Sequence, residues 1–136
     1  MLEAYSKSQS VVATTGIIPF NSVTLKKGCT AELNGVSTIQ LNKCGIYEVV
    51  FNATVLAGTA GNVVIEMTKN GINQPQASRT ITGATITTSV NVPITTLVQV
   101  KDNNLGRCCD SPTLLQFVNT GVEVTGDFDV VVTKIC

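Results

Sequence analysis

Five cysteines, Cys29, Cys44, Cys108, Cys109 and Cys136, offer the most chemistry in this chain. An odd number cannot all pair within one chain. The functional readings are a zinc site or bridges between chains. Zinc sites usually show C-x2-C or C-x4-C spacing with histidine nearby, and this chain has no histidine. Adjacent Cys108-Cys109 is poor geometry for holding one zinc. A metal site within one chain is therefore disfavoured, while a cluster around an oligomer axis stays open. The plain reading is free thiols in small buried or loop positions, which suits Cys44 better than the adjacent pair. Cys108, Cys109 and Cys136 are the candidate inter-chain or exposed thiols.

Acid–base chemistry finds less. Without histidine there is no Ser-His-Asp or Cys-His pair. The carboxylates are scattered, at Glu3, Glu32, Glu48, Glu66, Asp102, Asp110, Glu123, Asp127 and Asp129. Asp127 and Asp129 share one face if their strand is regular, and paired carboxylates can move protons or bind a cation. A solvated strand entry is the favoured reading. Asp102-Asn103-Asn104 with Asp110 could ligate calcium, but the spacing fits no EF-hand. There is no phosphate-binding glycine loop. Aromatics are 4% with no tryptophan, which argues against a sugar-stacking platform. No catalytic, cofactor or metal residue is assigned, and a non-enzymatic protein is expected.

The elements that must carry these residues follow from composition. The chain has 136 residues, 43% hydrophobic and 13% charged, which suits one domain with a buried core. Lys plus Arg is 9 and Asp plus Glu is 9, giving zero formal charge. That balance argues against a nucleic-acid partner, since phosphate binding needs excess Lys and Arg. So few charges on a neutral chain suggest that a partner covers some surface, hinting at an oligomer. The start MLEAYSKSQS lacks a basic residue run followed by an apolar run, so no signal peptide is expected. No apolar run approaches the roughly 20 residues of a membrane span. The expectation is synthesis in a cytosol, where structural disulfides are disfavoured.

Val, Ile and Thr dominate and favour strands; no long stretch has a helical period. Ser10–Phe20 reads as extended. Cys29–Leu33 and Ser37–Leu41 read as short strands around Asn34-Gly35, the strongest hairpin dipeptide. Gly45–Leu56 reads as a long strand with Tyr47, Val49, Phe51, Ala53 and Val55 on its core face. Strands are also expected at Asn62–Thr68, Arg79–Val90, Val92–Val100, Leu114–Asn119 and Asp127–Ile135, with a polar loop at Lys101–Thr113. Eight to ten short strands with regular turn signals indicate a β-sandwich or barrel. The expected organisation is a short arm over residues 1–9 and one domain over 10–136.

The stretch "LNKCGIYEVVFNATV", a Gly-hydrophobic-Tyr entry to a long strand, resembles the core block of C1q/TNF-like jelly rolls. "TTGIIPFNSV" is similar to that family's first strand, "NVVIEMTKNG" to the strand with its Asn-Gly turn, and "DFDVVVTKIC" to its closing strand. "TTLVQV" and "LLQFVNTG" are similar to the pair that usually brackets a short Gly-Asp turn. The pattern most resembles phage head-fibre or decoration proteins and the heads of bacterial exosporium collagen-like glycoproteins. Two departures stand out: the Gly-Asp turn is replaced by the cysteine-bearing loop, and no Gly-X-Y tract precedes the domain.

The resemblance implies an all-β fold, a two-sheet antiparallel jelly-roll sandwich that is homotrimeric about one sheet edge, with both termini at one base. Tyr47, Phe51, Phe117 and Phe128 are the candidate aromatics for the trimer interface or the core. The implied function is a bacteriophage virion structural protein, a trimeric capsid-decoration or head-fibre component assembled in the bacterial host cytoplasm. Its partners would be its own copies and a capsid or other virion protein. Met1–Gln9 would be the docking arm. The alternative is a receptor-binding or adhesive head on a phage tail or spore surface. That head would meet a host surface molecule through the loops Ala57–Gly61 and Lys101–Thr113.

Overall fold

A computed structural model describes residues 2–20, 22–26, 31–100 and 113–135. They form ten strands: β1 (Leu2–Val12), β2 (Ser22–Lys26), β3 (Ala31–Asn34), β4 (Thr38–Leu41), β5 (Gly45–Ala57), β6 (Gly61–Lys69), β7 (Ile72–Ala84), β8 (Val90–Val100), β9 (Thr113–Asn119) and β10 (Val124–Lys134). Two five-stranded antiparallel sheets result. Sheet A runs β2-β1-β10-β5-β8 and sheet B runs β3-β4-β9-β6-β7. This is the expected two-sheet jelly-roll sandwich. Strands early and late in the chain are neighbours, as β1 beside β10 shows.

Alternation builds the core. In β5 every second side chain, from Tyr47 through Ala57, is buried. Val63, Ile65 and Met67 of β6 and Leu115 and Phe117 of β9 meet them from sheet B. The centre is aromatic. Phe51 stacks on Phe117 with ring centroids 4.3 Å apart and planes 15° apart. Phe20 stands edge-on to both at 6.3 Å, and Phe128 lies 6.5 Å from Phe51. Such pairs add to the stabilisation from buried area alone. Each ring comes from a different segment, so the cluster pins four distant parts of the chain together.

Both Asn-Gly turns form. Asn70 (φ 52°) and Gly71 (φ 83°) occupy the left-handed region, as a two-residue hairpin turn requires. Gly126 is required for a different reason. It sits opposite Ser10, just past the irregular Ser6–Ser10 stretch of the β1–β10 ladder. A Cβ there would collide with the Thr54 carbonyl oxygen and approach the Val55 Cα to 2.7 Å.

The structure differs from the sequence reading at the N-terminus. Residues 2–9 are not a free arm but most of strand β1, held between β2 and β10. The physical cause is that Leu2 and Ala4 are fully buried, so their burial draws the segment into the sheet. β2 is a further strand that the reading passed over. β7 also starts earlier than expected, at Ile72 directly after the turn.

Candidate functional site

The four candidate aromatics lie between the sheets. Tyr47, Phe51, Phe117 and Phe128 are all essentially inaccessible to solvent within one protomer. The Tyr47 hydroxyl donates to the Lys43 carbonyl at 2.6 Å, so its polar tip is satisfied at the rim of the core. These side chains are core, and any contact surface must be built from others.

The outer face of sheet A supplies one. Side chains that alternate with the core set point outward. Val131 pairs with Val50, which pairs with Thr95, in one row across β10, β5 and β8. In the next row Glu48 pairs with Leu97, which is 58% exposed. The Ile135 amide donates to the Ile46 carbonyl, and Ile135 is 53% exposed. Ile46, Val50, Leu97, Val131 and Ile135 therefore lie around the exposed Glu48 on the face of sheet A turned away from sheet B. Asp127 and Asp129 share this outer face further along β10, opposite Thr54 and Asn52. Both carboxylates are exposed and already have partners in the chain.

Beside that face lie two edge strands, β8 of sheet A and β7 of sheet B. In β7 only Ala77 and Ala84 are buried. β7 packs beside β8, and side chains of sheet B reach across to it. Arg79 Nε donates to the Pro93 carbonyl at 3.2 Å, and Lys69 Nζ on β6 donates to the Gln99 carbonyl at 2.7 Å.

The two loops of the receptor-binding alternative leave opposite ends of the sandwich. Ala57 pairs with Val124 at one end of β5, and Gly45 pairs with Val100 at the other. β5 spans 13 residues, which is on the order of 40 Å at strand rise. The chain thus enters the Lys101–Thr113 loop far from Ala57–Gly61. Residues 101–112 themselves lie outside the described residues, as do Cys108 and Cys109.

The Ala57 end is built around one residue that sequence reasoning missed. Asn119 is fully buried. Its Nδ2 donates to the Val12 carbonyl at 3.1 Å and the Val122 carbonyl at 2.8 Å. Its Oδ1 accepts from the Gly121 amide at 3.1 Å. Backbone bonds add Thr15 N–H to the Asn119 carbonyl at 2.7 Å and Asn119 N–H to the Gly16 carbonyl at 2.9 Å. The segments after β1 and after β9 are locked together by this one amide. Asn119-Thr120-Gly121 at a strand end was the available signal, but it announces only a turn.

The cysteine reading needs a correction. Cys44 is not a free thiol but disulfide-bonded. It is half-buried against the core at the corner where the chain passes from sheet B into sheet A. The other four cysteines, its partner among them, lie outside the described residues. The expectation of reduced thiols, drawn from a cytosolic origin, therefore fails at this cysteine. Reduction should destabilise the fold by about 2–4 kcal/mol. The check is a thermal melt with and without reductant: the wild type should melt lower when reduced, and Cys44→Ser should match the reduced protein in both conditions.

Among the described residues, no three His, Cys, Asp or Glu side chains gather to hold a metal ion. None of the described residues forms a helix long and apolar enough to cross a membrane.

The sequence matches no family model and no curated protein. Solved structures do resemble it. The PRD1 vertex protein P5 is 16% identical, with 99% of this chain and 96% of that chain covered and a TM-score of 0.61. The globular domain of zebrafish complement 1qA is 9% identical over 95% of this chain and 92% of that chain, with a TM-score of 0.66. Murine APRIL is 8% identical over 98% of each chain, with a TM-score of 0.61. Identities this low establish the fold, a C1q/TNF-like jelly roll, with a phage vertex protein among those that share it.

Proposed function

We propose that this chain is a non-enzymatic structural protein of a bacteriophage virion, a homotrimeric capsid-decoration or head-fibre component. The apolar side chains on the outer face of sheet A carry the assembly part of this reading. Leu97 and Ile135 are more than half exposed there, and grouped exposed apolar side chains support an interaction site. Three copies packed around an axis would cover them, with the β7–β8 side of each protomer against the next. The jelly-roll likeness to a phage vertex protein supports the virion part.

Orientation follows from the topology. Leu2 pairs with Val132 and Lys26, and Lys134 pairs with Tyr47 near the start of β5. Both ends of the described chain therefore lie at one end of the sandwich, beside Cys44. In this reading that end docks on the virion and the Asn119 end faces outward.

The test is native mass by light scattering. Wild type should run as a particle of three chain masses, and Leu97→Glu with Val131→Glu as a folded monomer with unchanged β-sheet circular dichroism. A wild-type monomer at micromolar concentration would remove the trimer. Absence of the protein from purified phage particles would remove the virion role.

A further inference from the structure

The chain contains two Asn-Gly pairs, Asn34-Gly35 and Asn70-Gly71. In such pairs the glycine amide nitrogen can attack the asparagine Cγ, because glycine has no Cβ to block the approach. The C–N bond to the side-chain amide then breaks and ammonia leaves. Water opens the cyclic imide to aspartate or to isoaspartate, whose backbone runs through the side chain. The reaction needs no oxidant and no enzyme. It does need an asparagine side chain free to swing onto the next nitrogen.

The two sites differ in that freedom. Asn70 is clamped to β9 twice: its backbone N–H donates to the Leu114 carbonyl at 2.8 Å, and its Oδ1 accepts from the Leu114 N–H at 2.9 Å. Attack at Asn70 must first release that side-chain bond. Asn34 is the last residue of β3, on the edge of sheet B, and is exposed. Its side chain makes one long exposed bond, Nδ2 to Gln40 Oε1 at 3.2 Å. Gln40 also donates to Asn42 Oδ1 at 2.8 Å, so that partner is held independently of Asn34. The space around Gly35 is open, with no heavy atom within 4 Å of where a Cβ would stand.

We propose that Asn34 is a site of spontaneous deamidation in the folded protein, and that the β6–β7 turn protects Asn70. The modification places a negative charge on a chain of zero formal charge. It replaces the Nδ2 donor facing Gln40 with an acceptor. It also sets a carboxylate two residues from Glu32 on the same strand face, where like charges repel. Each copy would become more acidic with age at one hairpin.

The experiment is incubation of the native protein at mildly alkaline pH, with anion-exchange separation, peptide mapping and isoaspartate detection. The urea-unfolded chain gives the reference rates for both sites. Expected is an acidic form whose change maps to the Asn34 peptide, with Asn70 reacting at least about tenfold slower because its bonds must break first. Asn34→Gln should abolish that form, while the unfolded chain reacts at both sites. Equal rates at the two sites in the native protein would overturn the proposal. So would an inert Asn34 in native protein whose unfolded chain reacts.

Discussion

Asn119→Asp should fold near pH 4 and lose most of its stability near neutrality. Asn119 Nδ2 donates to the carbonyls of Val12 and Val122 at a fully buried position. An ionised carboxylate has no donor, so its oxygens would face carbonyl oxygens. Burial and that repulsion raise the carboxyl's folded pKa above its unfolded value of about 3.9. Below the unfolded value both states hold the proton and the penalty is smallest. As pH rises through it, the unfolded state ionises freely and the folded state resists. Stability therefore falls with rising pH until the folded group ionises as well. Each buried partner left unsatisfied costs roughly 1–3 kcal/mol, so a loss of about 4 kcal/mol or more is expected at neutral pH. Asn119→Leu should lose a similar amount with no added pH dependence. Urea unfolding midpoints across pH make the comparison. An Asp variant as stable as wild type at neutral pH would show that Asn119 does not hold the end together.

Tyr47→Ala should cost roughly 3–5 kcal/mol, as removal of a buried aromatic does. For a domain of this size that lowers the melting temperature by about 10–20 °C. Tyr47→Phe separates the ring from the hydroxyl. It keeps the packing and loses only the bond to the Lys43 carbonyl, worth about 1 kcal/mol. Calorimetry on the pair would resolve the difference. An unchanged melting temperature in the alanine variant would contradict the placement of Tyr47 in the core.

Much of this fold was legible in the sequence, for local reasons. β5 alternates cleanly from Tyr47 to Val55, so its core face could be read from period two alone. Asn34-Gly35 and Asn70-Gly71 announce their turns through residues that tolerate positive φ. β1 was harder: Ser6 to Ser10 is polar, and the ladder is irregular there. The outward face of β10 was not legible because Val130, Val131 and Val132 are consecutive. All three are apolar, and only the register shows that Val131 turns outward while its neighbours are buried. Asn119 escaped because its partner Val12 is 107 residues away. The Cys44 bond escaped because sequence reports which cysteines exist and not how the fold pairs them.

The place of β10 in sheet A governs when this protein can fold. It is the last of the ten described strands to be synthesised, yet it is the middle strand of its sheet, between β1 and β5. Until it emerges, β1 and β5 have no common neighbour, and the core lacks Phe128, Val130 and Val132. Pairing across such sequence distance is slow, and the waiting strands expose apolar edges that favour aggregation. Sheet A therefore closes only once β10 is available, and overexpression at high temperature should favour inclusion bodies. Slower translation at low temperature, or excess chaperone, is the condition under which native particles should be recovered.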